Sequence, residues 1–157
     1  MLAFGNFPER YQYRISCHSG DGPDIELVGY GKPPRNEKEM YQVILKMSNH
    51  ASFCLSGDNT LNATIGAIKS VKDEDADDYF VLVLSDANLA QYNISTESIS
   101  KALTIDATVN SYMIFIGSIQ DQAELIMRSA PKHTYSCLQT RDLSRILKDI
   151  LTRSLEA

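Results

Sequence analysis

Tyr79-Phe80-Val81-Leu82-Val83-Leu84 is apolar at every position. A strand with one wet face alternates apolar and polar side chains, so this unbroken run predicts a strand covered by helices on both sides of a parallel sheet. Residues 109–116, with an apolar run from Met113 to Ile116, form another doubly buried strand that ends at Gly117-Ser118. Between the two runs Ser85-Asp86-Ala87-Asn88 is a turn, and Ser95 is placed to cap a short helix through Leu103. Further on, a helix over about 120–128 is stopped by Pro131, a weaker strand covers 133–138, and an amphipathic helix covers 142–155. Its inward face is Leu143, Ile146, Leu147, Ile150 and Leu151. Strands alternating with helices define an α/β fold, doubly wound, with a mostly parallel sheet and helices on both faces.

Toward the amino terminus, Tyr11, Tyr13, Ile15 and Cys17 alternate with Gln12, Arg14 and Ser16, the period of a half-wet strand. His18-Ser19-Gly20-Asp21-Gly22-Pro23 ends it, and Ile25-Glu26-Leu27-Val28 follows too soon for a crossover helix. The two segments therefore pair as an antiparallel edge hairpin. Asn36 is an N-cap with Glu37 and Glu39 in the first turn, and Met40, Val43, Ile44 and Met47 recur at helical spacing, giving a helix over 37–48. Ser56-Gly57-Asp58-Asn59-Thr60 is a turn before a second helix over 61–71, where Leu61, Ile65, Ile68 and Val71 share a face. The run Asp73-Glu74-Asp75-Ala76-Asp77-Asp78 lacks the alternating ligands and central Gly of an EF-hand and reads as a solvated loop.

The chain of 157 residues reads as a single domain over 1–157. With 43% hydrophobic and 22% charged residues it has the composition of a globular protein. Fifteen Lys and Arg against 20 Asp and Glu leave a net charge of -5, which supplies no cationic field for nucleic acid. No apolar run approaches the ~20 residues that span a bilayer. The first eight residues, through Pro8, show no basic leader followed by an apolar stretch, so no export or import address is expected. Cys17, Cys54 and Cys137 have no zinc-type spacing and point to a reducing, intracellular compartment. The sequons at Asn62 and Asn93 are then coincidental.

Ligands of open α/β sheets sit outside the carboxyl ends of the strands. Counting traversals from the end of the first strand brings the loops 18–23, 56–60 and 85–88 to one rim. They offer Asp21, Asp58, Thr60, Ser85 and Asp86, oxygen donors that suit a hard divalent cation. An enzyme would need a nucleophile within reach of a base. Cys17 and His18 are neighbours on a strand and point to opposite faces, while His50 and His133 have no partner evident in the sequence. A small α/β enzyme or receiver-like phosphoryl domain built on rim aspartates, Asp21 or Asp86, is the second reading. It lacks a Gly-rich phosphate loop, since Gly20-x-Gly22 opens a hairpin and not a helix.

Ser56-Gly57-Asp58-Asn59-Thr60 before a helix, and the stretch from Tyr79 through Ser85-Asp86-Ala87-Asn88-Leu89, resemble the second and third metal motifs of a von Willebrand factor A domain. His18-Ser19-Gly20-Asp21-Gly22 and Ile114-Phe115-Ile116-Gly117-Ser118 strengthen the resemblance, which covers about 11–151. They are most similar to the branch of the family in which the domain ends a very large, dynein-like ring ATPase associated with mitochondria. The resemblance implies a protein-interaction adaptor without turnover of its own, whose partner is an acidic side chain or the ATPase ring. It also implies a metal-ion-dependent adhesion site. Such a site draws on an Asp-x-Ser-x-Ser loop, a Thr and an Asp; Thr60 matches the second motif and Asp86 the third. The Asp-x-Ser-x-Ser loop is absent from this chain, so the Mg2+ expected at Thr60 and Asp86 lacks its principal ligands. By the same resemblance the chain lacks the central strand and first helix of an A domain, as a fragment or short form would.

Overall fold

The structure, a computed structural model, describes residues 11–53, 57–86, 88–117 and 121–155. Cys54, Ser56, Ala87, Ser118 and Gln120, named above, lie outside the described residues, as does the amino-terminal stretch read for a leader. The chain forms two compact units, Met1–Ala63 and Thr64–Ala157.

In the first unit β1 (Ile15–Ser19) and β2 (Gly22–Val28) pair antiparallel, as the early turn residues predict. Ser19 lies opposite Gly22, which leaves Gly20-Asp21 as a two-residue turn, shorter than the expected cluster. The strand starts at Ile15 and not at Tyr11: its partner ends at Val28, opposite Ile15, and among the described residues no strand is paired with the residues before it. Arg14 instead bonds across to β2, through Asp24 at 2.7 and 2.8 Å and Glu26 at 3.2 Å.

Helix α1 (Glu37–Phe53) is capped as expected. The Glu39 N–H donates to Asn36 Oδ1 at 3.0 Å, and the Glu39 carboxylate accepts from the Arg35 N–H at 2.7 Å and from Asn36 Nδ2 at 3.1 Å, a reciprocal capping arrangement. It continues past the expected end at 48 because no Gly or Pro interrupts the residues through Phe53. Ile44 and Met47, part of its apolar spacing, are 59% and 42% exposed. Helix α2 (Thr60–Val71) opens one residue earlier than its apolar spacing indicated, with the Thr60 N–H donating to Asp58 Oδ1 at 2.7 Å.

The second unit holds β3 (Tyr79–Ser85), α3 (Thr96–Leu103), β4 (Val109–Ile116), α4 (Asp121–Ser129), β5 (Thr134–Cys137) and α5 (Leu143–Leu155). Its strands form a parallel sheet in the order β3-β4-β5. Side-chain alternation along β4 divides the core between two faces. Ile114 packs with Cys137, Ile146 and Ile150, joined by Phe80 and Leu82, so α5 covers this face. On the other, Val81 and Val109 pack against Ile68, and the Ser111 hydroxyl donates to the Leu103 carbonyl of α3. Helices thus flank the sheet on both faces, as the apolar runs predict.

Both strands are packed on their two faces, but more completely in β4, where five of eight residues are buried, than in β3, where Val81 is buried and Phe80, Leu82 and Val83 are partly so. The physical reason is position. Among the described residues β3 pairs with β4 alone, so one edge carries no neighbouring strand, and Leu84 is 49% exposed. Ser95 caps α3 as expected, accepting from the Ser98 N–H at 3.1 Å. Strand β5 is shorter than 133–138, and a 3-10 turn, Thr140–Asp142, precedes α5. Among the described residues no helix is long and apolar enough to cross a membrane.

Candidate functional site

Two of the three loops assigned to one rim belong to the first unit, and they meet. The Gly20 N–H of the hairpin turn donates to the Gly57 carbonyl at 2.9 Å. Beneath this bridge His18 Nε2 lies 3.3 Å from Thr60 Oγ1, and His50 Nε2 lies 3.0 Å from the His18 carbonyl oxygen. His50, which has no partner evident in the sequence, thus reaches from α1 to the end of β1. His18 Nδ1 is buried without a hydrogen-bond partner. Burial pushes the His18 imidazole below the usual histidine range; nearby Asp58 opposes that shift and His50 adds to it. Asp21, by contrast, is exposed in the turn, its N–H donating to Ser19 Oγ at 3.3 Å.

Asp86 and Ser85 follow β3 in the second unit. Asp86 is exposed, and its Oδ1 accepts the Asn88 N–H at 3.1 Å, the bond of an Asx turn. Gln122, which carried no signal in the sequence, ties this region to α4: its Oε1 accepts from the Ala90 N–H at 2.5 Å and its Nε2 donates to the Ile94 carbonyl at 2.8 Å. A shallow groove of about 680 Å³ runs alongside, lined by Asn88, Ile94, Ser95, Gln122 and Leu125 among others. His133, the other histidine without an evident partner, holds its Nδ1 2.9 Å from the Ser111 carbonyl, a bond between β4 and the start of β5. In the acidic run Asp73, Asp75, Asp77 and Asp78 are exposed, as expected of a solvated loop.

A hard cation needs several oxygen ligands with lone pairs directed at it. Thr60 is 2% exposed and its Oγ1 contacts His18, and an Asp58 oxygen is engaged by the Thr60 N–H. Among the described residues no group of three His, Cys, Asp or Glu is placed to hold a metal ion. The described donors of each unit, taken by itself, do not make up the oxygen shell that Mg2+ needs.

A parallel three-strand sheet flanked by helices, together with an antiparallel hairpin, is an α/β arrangement consistent with a von Willebrand factor A-like fold. The chain is similar to von Willebrand factor A domain-containing protein 8 of the mouse, with 42% identity over 156 residues, 99% of its own length. It spans 8% of that relative. No family model matches the chain, and no solved structure matches it.

Proposed function

We propose that the chain is a von Willebrand factor A-type interaction module, an adaptor of the metal-ion-dependent adhesion type whose metal site is incomplete, serving a large ring ATPase in mitochondria. The observation that carries this reading is the 42% identity along 99% of the chain to a protein named for that domain. Support also comes from the loops. The hairpin turn and the loop before α2 are bridged at one end of the first unit, as a binding rim requires, and Thr60 and Asp86 stand where the second and third motifs resemble the family's. In this reading the module grips a partner and performs no chemistry; the one printed hydroxyl-to-imidazole contact, Thr60 Oγ1 to His18 Nε2 at 3.3 Å, involves a residue that is 2% exposed. Assay of the purified chain with ATP and a generic phosphoester tests this. No turnover is expected, and hydrolysis lost on Asp86→Ala would instead establish the phosphoryl-transfer reading.

A further inference from the structure

The hydroxyl of Thr60 is the group the adhesion-site reading requires, and it is already engaged inside the first unit. A threonine hydroxyl has one proton to donate and two lone pairs. Here the residue is 2% exposed and its Oγ1 lies 3.3 Å from His18 Nε2. The second ring nitrogen of His18, Nδ1, is buried and has no partner, so the contact with Thr60 is what satisfies this imidazole. Withdrawing it would leave both ring nitrogens unpaired in a half-buried setting, the costly side of hydrogen-bond energetics. The backbone around the pair is fixed as well. His50 contacts the His18 carbonyl at 3.0 Å, Asp58 accepts the Thr60 N–H at 2.7 Å, and the Gly20 N–H donates to Gly57 at 2.9 Å.

We infer that in this chain Thr60 and His18 form a structural latch that joins the end of β1 to the start of α2, and that Thr60 is not available as a metal ligand. This deepens the adaptor reading and rests on it only for the assignment of Thr60 to the second motif. A cation recruiting the Thr60 oxygen would have to reach a residue that is 2% exposed and compete with its contact to His18, and among the described residues no cluster of three His, Cys, Asp or Glu stands ready to hold it.

The test combines metal titration with substitutions at both partners in the full chain. Calorimetric titration with Mg2+ alone should give no saturable heat through the millimolar range. Thr60→Val, which keeps the shape and removes the hydroxyl, should lower the unfolding midpoint by roughly 2 to 4 °C, while Thr60→Ser should restore it. His18→Ala combined with Thr60→Val should lose less than the sum of the two single losses, since both remove one contact. If Thr60→Val does not fold, the wild-type titration and Thr60→Ser still decide. Saturable Mg2+ binding abolished by Thr60→Val or Thr60→Ala, or valine and serine variants of equal stability, would overturn the latch. Either result leaves the adaptor reading untouched, because partner binding is measured with the metal chelated; ATP turnover would overturn that reading and leave the latch standing.

Discussion

The Gly20 N–H donates to the Gly57 carbonyl at 2.9 Å, so a hairpin turn and a loop far along the chain are held as one surface. Gly57 makes the bond from φ 117, backbone that side chains other than hydrogen rarely adopt. Gly57→Ala should therefore cost roughly 1 to 3 kcal/mol in urea unfolding, with an unchanged slope. Gly22→Ala is the control: a Cβ there meets nothing within 4 Å, and its effect should be small. Equal midpoints for both variants would show that the bridge does not constrain the loop.

His18 gives the first unit a pH dependence of definite sign. Its folded pKa is lowered, chiefly by burial, so the folded state binds fewer protons than the unfolded chain. The contribution is present above the unfolded value, about 6.5, and is lost as pH falls through the folded value. Thermal midpoints should fall between about pH 7 and about pH 5, and less steeply in His18→Gln. Identical slopes would mean that His18 does not titrate differently on folding.

The face of the sheet under α5 sets the stability of the second unit. Ile150 is fully buried against Ile114, Cys137 and Ile146, and Ile150→Ala should cost about 2 to 5 kcal/mol by leaving a cavity. Leu125, 54% exposed on α4, should tolerate alanine within about 0.5 kcal/mol. Chemical denaturation of the two variants separates these outcomes.

Strand β3 carries neither charge nor proline along Tyr79–Ser85, the devices by which edge strands avoid pairing with other chains. Sedimentation velocity should show association that grows with protein concentration, and Leu84→Lys should suppress it. A monomer at all concentrations would indicate that this edge is protected.

The elements most legible in the sequence are those decided locally. Asn36 and Ser95 cap helices through atoms three residues away, and the run Met113–Ile116 of β4 is apolar because both faces of the strand are covered. The apolar run of β3 also marks a strand packed on both faces, but not how deeply, because burial depends on what lies beside a strand and the run itself says nothing of its neighbour. Spacing likewise identifies α1 as a helix but cannot say that Ile44 and Met47 face solvent. The His18–Thr60 contact joins residues 42 apart in the chain, so it exists only after the hairpin and α2 have been brought together. No local pattern marks His50 or Gln122, whose partners lie 32 and 28 to 32 positions away.

If the proposed adaptor reading holds, the chain binds its partner without turnover and without metal. Surface-plasmon titration of the immobilised chain with the remainder of the mouse relative, outside the matched stretch, in EDTA tests this most directly. Saturable binding that survives chelation is the expected result. No binding at any concentration, or binding that appears only when Mg2+ is restored, would contradict it.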